Sequence, residues 1–174
     1  MIKLKIKVNR KVINELNKRA KRLNAAGPYV KVGLLGNGKQ RPDGKLTNPE
    51  IGVVHEFGSE DANIPKRPWL RPPVDARRSD FEKRIKTALA AEVIEGKPGE
   101  VVKVLGLVGL LASAAVKNYV TQGPPIPPPN SERTLKRKEA LTRKGSKGQA
   151  RTLVDTGRMI GAVTHKVEQG PVTK

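Results

Sequence analysis

The chain contains no cysteine, so disulfides, thiolate metal sites and cysteine nucleophiles are all excluded. Imidazole comes only from His55 and His165, which would leave zinc to be held mainly by carboxylates, an uncommon arrangement for that ion. The composition argues against a metalloenzyme, and no catalytic residue, metal ligand or cofactor is expected. Aromatic residues make up 3 % of the chain, too little material for stacking on single-stranded bases. No helix-turn-helix, zinc-finger or basic-zipper pattern is present to read a DNA sequence. A long apolar span is missing as well. The run at residues 104–116 falls short of the about 20 residues that cross a bilayer, so it reads as a core helix and no membrane partner is expected. The opening residues alternate lysine with apolar side chains and lack the continuous apolar core of a secretory signal, so export by that route is not expected.

What the chain has in excess is positive charge. Lysine and arginine number 35 against 16 aspartates and glutamates, a net charge of +19 over 174 residues. A field of that strength favours nucleic acid, acidic protein surfaces or an anionic lumen. The excess is dispersed through Lys3, Lys5 and Lys7, the Lys18-Arg-Ala-Lys-Arg22 cluster, Arg77-Arg78 and the stretch 133–151. Proximity to a polyanion fits this pattern better than base readout. Lys136, Arg137, Lys138, Arg143 and Lys144 are the expected basic surface.

The second concentration is at residues 54–73, which hold the lone tryptophan, one of two phenylalanines and four prolines. Pro65, Pro68, Pro72 and Pro73 fix φ, remove backbone donors and push each preceding residue toward extended geometry. A stiff arm over residues 58–73 is expected. Beside Phe57, its Ile64, Pro65, Arg67, Pro68, Trp69, Leu70 and Arg71 have the aromatic and arginine content of protein–protein anchor sites. The competing reading is a loop that packs these side chains on its own core.

Periodicity supplies the surrounding elements. Ile2, Leu4, Ile6 and Val8 alternate with lysines as in a half-buried strand. Val12, Ile13, Leu16, Ala20 and Leu23 make a helical stripe over residues 10–24, which Gly27-Pro28 ends. Tyr29-Val-Lys-Val-Gly-Leu-Leu35 reads as a strand and residues 36–46 as a flexible turn. Thr47-Asn-Pro-Glu50 has capping-box spacing ahead of a short helix at 49–57 ending at Gly58, with a strand as the rival because Ile51, Val53 and Val54 are β-branched. One helix is expected over 74–94. A second, over 101–120, is so apolar that it needs cover on several sides, from the sheet and from a neighbouring subunit. Gly123-Pro-Pro-Ile-Pro-Pro-Pro129 predicts a polyproline spacer able to hold the next segment away from the core. A basic insert with a helix at 131–141 and a mobile Lys144-Gly-Ser-Lys-Gly148 stretch completes the interval 123–151. Asp155 or Thr156 is placed to cap a short helix, and a last strand is expected at 162–167. The class is α+β, read as one domain over 1–174.

Two motifs suggest enzymes. Leu-Val-Asp155-Thr-Gly resembles the active-site tripeptide of retroviral-type aspartic proteases, but the residue after glycine is Arg158, whose bulk and charge would disturb a carboxylate dyad. His55-Glu56 resembles the start of a zincin motif, but Ser59 stands where the second histidine is needed.

In order along the chain, His55-Glu-Phe-Gly-Ser59, Ile64-Pro-Lys-Arg-Pro-Trp-Leu-Arg-Pro72, the proline-rich segment with Asn130-Ser-Glu-Arg-Thr-Leu-Lys-Arg-Lys138, and Leu153-Val-Asp-Thr-Gly-Arg-Met159 resemble the tail-completion, or head-tail joining, family of long-tailed bacteriophages. The likeness runs over residues 30–168 and departs at the loop between Lys138 and Arg151, which is longer and more basic. It implies a small, mostly antiparallel sheet flanked by helices, with an extended proline-rich arm and a basic loop. It also implies a structural virion protein without catalytic activity. Such a protein assembles with itself as a ring, expected at six copies, meets the head connector or stopper and the tail tube, and surrounds genomic DNA without base contacts. Its location would be the virion neck or upper tail, after host cytoplasm during assembly. The rival from charge alone is a basic DNA-binding accessory protein.

Overall fold

The computed structural model describes residues 10–36, 46–143, 151–154 and 157–170. The strand expected at 2–8 and most of the turn at 36–46 lie outside the described residues. Seven helices and one two-stranded antiparallel sheet make up the rest, an α+β arrangement with a small sheet flanked by helices. In chain order these are α1 (Arg10–Ala26), β1 (Pro28–Gly33), α2 (Asn48–Phe57), α3 (Arg71–Asp75), α4 (Arg78–Val93), α5 (Glu100–Thr121), α6 (Glu132–Arg143), α7 (Arg158–Gly161) and β2 (Thr164–Gln169).

The central element is α5. Its apolar residues run nearly all round, and the chain covers it with the sheet on one side and with α3 and α4 on others. Val30 and Val32 of β1 project onto Val108 and Ala112, together with Phe81 from α4. A second patch joins Ala88 of α4 to Val101 and Leu105, with Val30 and Val167 alongside. Cover is incomplete among the described residues, because Leu107 and Leu110 on the outer face remain 42 % and 57 % exposed.

The two glycines of α5 behave oppositely. A Cβ on Gly109 would stand 2.5 Å from His165 Cδ2 and 2.8 Å from Val30 Cγ2, so the sheet lies flush on the helix only because that atom is absent. A Cβ on Gly106 would meet nothing within 4 Å. Gly109→Ala is therefore expected to destabilise by about 1–3 kcal/mol through overpacking. Gly106→Ala should stabilise by about 0.5–1 kcal/mol through helix propensity alone. Thermal melting of the two variants checks the opposite signs, and a shift of both in one direction would contradict the packing described.

The sheet pairs Val30 with Val167 and Val32 with His165. On its outer face Lys31 and Lys166 stand directly opposite each other, which repels unless an anion lies between them. Glu168 supplies that anion, 2.8 Å from Lys31 Nζ and 3.1 Å from Lys166 Nζ, and accepts a hydrogen bond from Tyr29 Oη. Hydrogen bonds from Lys31, then Tyr29 and Lys166, hold its carboxyl pKa down at about 2.

Two expectations about helices change. Residues 74–94 form α3 and α4 rather than one helix, with Arg77 as the N-cap of the second. The arm expected to stay extended to Pro73 turns helical at Arg71. Pro72 and Pro73 sit in the first turn, where their missing N–H groups cost nothing and their fixed φ suits a helix. Elsewhere the sequence signals fit closely. At α2 the capping box is complete: Glu50 N donates to Thr47 Oγ1 at 3.3 Å and Thr47 N donates to Glu50 Oε2 at 2.7 Å. That box decides for the helix over the rival strand.

Candidate functional site

The segments that carry the family resemblance are far apart in sequence and interlocked in space. The lock starts at Glu56 in the last turn of α2, a buried carboxylate. Its Oε2 accepts from Trp69 N at 2.8 Å and Leu70 N at 2.9 Å, and its Oε1 accepts from Arg71 N at 3.2 Å. The first turn of a helix leaves its N–H groups without partners, and Pro72 and Pro73 have none to offer. Glu56 takes the donors that remain, and its negative charge sits at the positive end of α3.

Trp69 is fixed from both ends. Its backbone is held by Glu56, and its Nε1 donates to Gly52 O at 3.0 Å. Gly52 is itself required there, because a Cβ would stand 2.5 Å from Leu34 Cδ1 and 3.1 Å from the indole Cζ2. The ring enters the main core with Val116, Ile126, Val154, Ile160 and Val163, and 2 % of the residue is exposed.

Arg67 ties the arm to the proline-rich segment. Its backbone N donates to His55 O, while Nε and Nη2 donate to the carbonyls of Pro128 and Pro129 at 2.8 and 3.0 Å. Burial lowers the affinity of its guanidinium for the proton. Beside it His55 is held neutral at pH 7, first by burial and then by the Arg67 charge. Its Nδ1 is enclosed and has no hydrogen-bond partner among the described residues. A bridge between Ser59 and Ile64, with Asn63 in the left-handed region, closes the tight turn that precedes the arm.

The last segment is held by two cations that act on backbone carbonyls. Lys138 Nζ donates to Arg151 O at 2.6 Å and Val154 O at 2.5 Å. Arg151 Nε donates to Val120 O at 3.2 Å, and its Nη2 donates to Gly123 O. These four contacts join α6, the 151–154 turn and the end of α5.

Comparison of the chain with protein-family models, with curated proteins and with solved structures gives no match. The site therefore has to be read from its own geometry.

That geometry corrects several sequence expectations. Trp69 is not an exposed anchor for another molecule, because the chain buries it in its own core. Arg67 likewise spends two donors within the chain. Leu70, Ile64 and Pro68 are half-buried, while Pro65 and Arg71 are exposed. Phe57 is the arm-side aromatic that stays outside, at 68 % exposure, with Val53 beside it at 58 %. Lys136 and Arg137 are exposed as expected, but Lys138 is 4 % exposed and belongs to the interior hydrogen-bond network. Its long apolar stem allows burial once carbonyls receive the ammonium. Lys144 lies outside the described residues, as does the side chain of Arg143. Asp155 and Thr156 also lie outside them. The helix they were expected to cap starts at Arg158, with Gly157 at its N-cap in the left-handed region and no side-chain cap bond. The proline-rich segment does not act as a spacer that keeps its neighbours off the core: Ile126 is 3 % exposed within it, and Arg67 pins the backbone behind.

Residue-type reasoning missed Glu56 and Arg151, and it placed Lys138 on the surface rather than in the interior network. A signal existed for the first, since a Pro-Pro helix start needs an acceptor for the donors just before it. Nothing in the spacing from residue 56 to residue 71 identifies which carboxylate supplies it.

No described helix is long and apolar enough to cross a membrane, and the described residues contain no group of three acidic or histidine side chains that could hold a metal ion.

Proposed function

We propose that the chain is a structural protein of a bacteriophage neck, which closes into a ring that completes or terminates the tail tube and joins it to the head connector around the DNA channel. The observation that carries this reading is the convergence of the four motif segments. Glu56 clamps the arm, Arg67 clamps the proline-rich segment, and Trp69 shares one core with Val154 and Met159. Residues spent on fixing backbone, with no convergent nucleophile or acid–base pair among them, suit a building block better than an enzyme. The dispersed charge of +19 suits a ring, since repetition of the copy multiplies a modest lumen charge without base contacts.

A ring is built from head-to-tail contacts between different faces of the same chain. With Trp69 internal, the arm-side surface left for such a contact is Phe57 with Val53. These residues border a groove of about 320 Å³ whose walls include Leu34, Leu35 and Leu70. Electron microscopy of the purified chain at high concentration is expected to show annular particles with a central hole. Phe57→Asp should remove them while leaving the melting temperature nearly unchanged, because the side chain it alters is exposed. Solitary particles from the unaltered chain, combined with steeply salt-dependent duplex binding by the monomer, would replace this reading with a DNA-binding accessory role.

A further inference from the structure

A cavity of about 700 Å³ lies where α2, the arm, the proline-rich segment, α6 and α7 meet. Its described walls carry Arg67, Arg137, Lys138 and Arg158 and no carboxylate. Some cations elsewhere on the molecule are balanced locally. Arg78 pairs with Glu82, Arg84 with Asp80, Lys103 with Glu100 and Lys31 with Glu168. At the cleft, Arg67 meets only carbonyl oxygens, and Arg158 stands exposed without an ion pair among the described residues. Apolar side chains fill the spaces between these charges: Ile51, Val54, Ile64, Leu153 and Met159. Ser131 and Thr134 add hydroxyls at one edge.

We propose that this cleft binds a short peptide segment in which acidic and apolar side chains alternate, supplied by the protein next to this one in the assembly. The proposal rests on the neck reading for the identity of that neighbour, while the chemistry of the segment follows from the cleft. Carboxylates find Arg158, whose planar donors match them in pairs, with the Arg67 charge alongside. Aliphatic side chains find the apolar wall between them. Nucleic acid fits less well. The described lining has no phenylalanine, tyrosine or tryptophan ring on which a base could stack, and a concave site of this volume admits a few side chains rather than a duplex.

The test uses the purified full chain and a fluorescein-labelled peptide of alternating aspartate and leucine, followed by anisotropy at physiological salt. Saturable binding is expected, with none for the same peptide carrying asparagine in place of aspartate. Arg158→Glu alters an exposed side chain without an ion pair among the described residues, and it should weaken binding by about tenfold or more, equivalent to about 1.4 kcal/mol. Lys86→Glu, an equal charge change on the exposed face of α4 away from the cleft, should leave the affinity unchanged. Absence of peptide binding overturns the proposal. Equal weakening by both variants does so too, since it reduces the interaction to the general field. Duplex DNA that displaces the peptide and loses affinity in parallel on Arg158→Glu assigns the cleft to nucleic acid instead. The two proposals fail separately: annular particles that ignore the peptide sink the cleft alone, and peptide binding by a chain that stays solitary sinks the ring alone.

Discussion

Trp69→Ala is expected to unfold the chain under conditions where the unaltered protein is native, rather than merely to open a contact between copies. Truncating a buried tryptophan removes its transfer energy and leaves a cavity, together costing about 3–5 kcal/mol. The whole stability of a domain of this class is about 5–15 kcal/mol, so one substitution consumes a large share of it. The loss at Trp69 has a second part. Its indole N–H is the partner of Gly52 O, and the ring supports the close approach of α2 at that glycine. Removing the ring therefore loosens α2 as well as the core around Val116 and Val163. At about 2–4 °C per kcal/mol for a chain of this size, the melting temperature should fall by roughly 10 °C. Circular dichroism melting measures this directly. A companion variant, Phe57→Ala, should melt close to the unaltered protein because Phe57 is 68 % exposed. If the two variants melted alike, the assignment of Trp69 to the interior and of Phe57 to the surface would be wrong.

That contrast also shows what could be read from the sequence. Local signals were legible wherever the chain's own neighbours decide the outcome. The box at Thr47 and Glu50 fixes the start of α2, and the all-round apolar pattern marks α5 as the central helix. The alternation of residues 29–32 marks a strand. Side-chain destinations were not legible, because they depend on what arrives from far along the chain. An arm rich in tryptophan, arginine and proline has the composition of an interface whether its occupant is another molecule or the chain itself. Here Glu56 folds the arm back, so Trp69 faces inward and Phe57, twelve residues earlier, is left outside. Lys138 makes the same point for charge. It reads as surface from its basic neighbours Lys136 and Arg137, yet the carbonyls of Arg151 and Val154 draw its ammonium inside. A helix periodicity places residues on faces, and only the tertiary partner says which face is wet.

The second large effect belongs to Glu56, and it separates charge from shape. Glu56→Gln keeps the volume and the reach of the side chain, so packing around α2 is preserved. The carboxamide has a single acceptor oxygen, however, and its NH2 group must face backbone donors that both carboxylate oxygens now receive. Whichever way the amide is turned, at least one N–H among Trp69, Leu70 and Arg71 loses its acceptor and meets another donor. Hydrogen bonds to a charged group contribute about 1.5–3 kcal/mol each, and leaving a buried donor unmade adds its desolvation cost, so a loss of about 3 kcal/mol is expected. The negative charge at the start of α3 disappears at the same time. Because the clamp acts on one short segment, opening should begin there, before the α4, α5 and sheet unit melts. Limited chymotrypsin digestion is the discriminating measurement, since Trp69 and Leu70 both suit that protease and neither is followed by proline. Glu56→Gln should expose the bonds after these two residues to cleavage at temperatures where far-ultraviolet circular dichroism still reports native helix. Resistance of those bonds equal to that of the unaltered chain would mean that the two prolines and the buried indole hold the arm without the carboxylate.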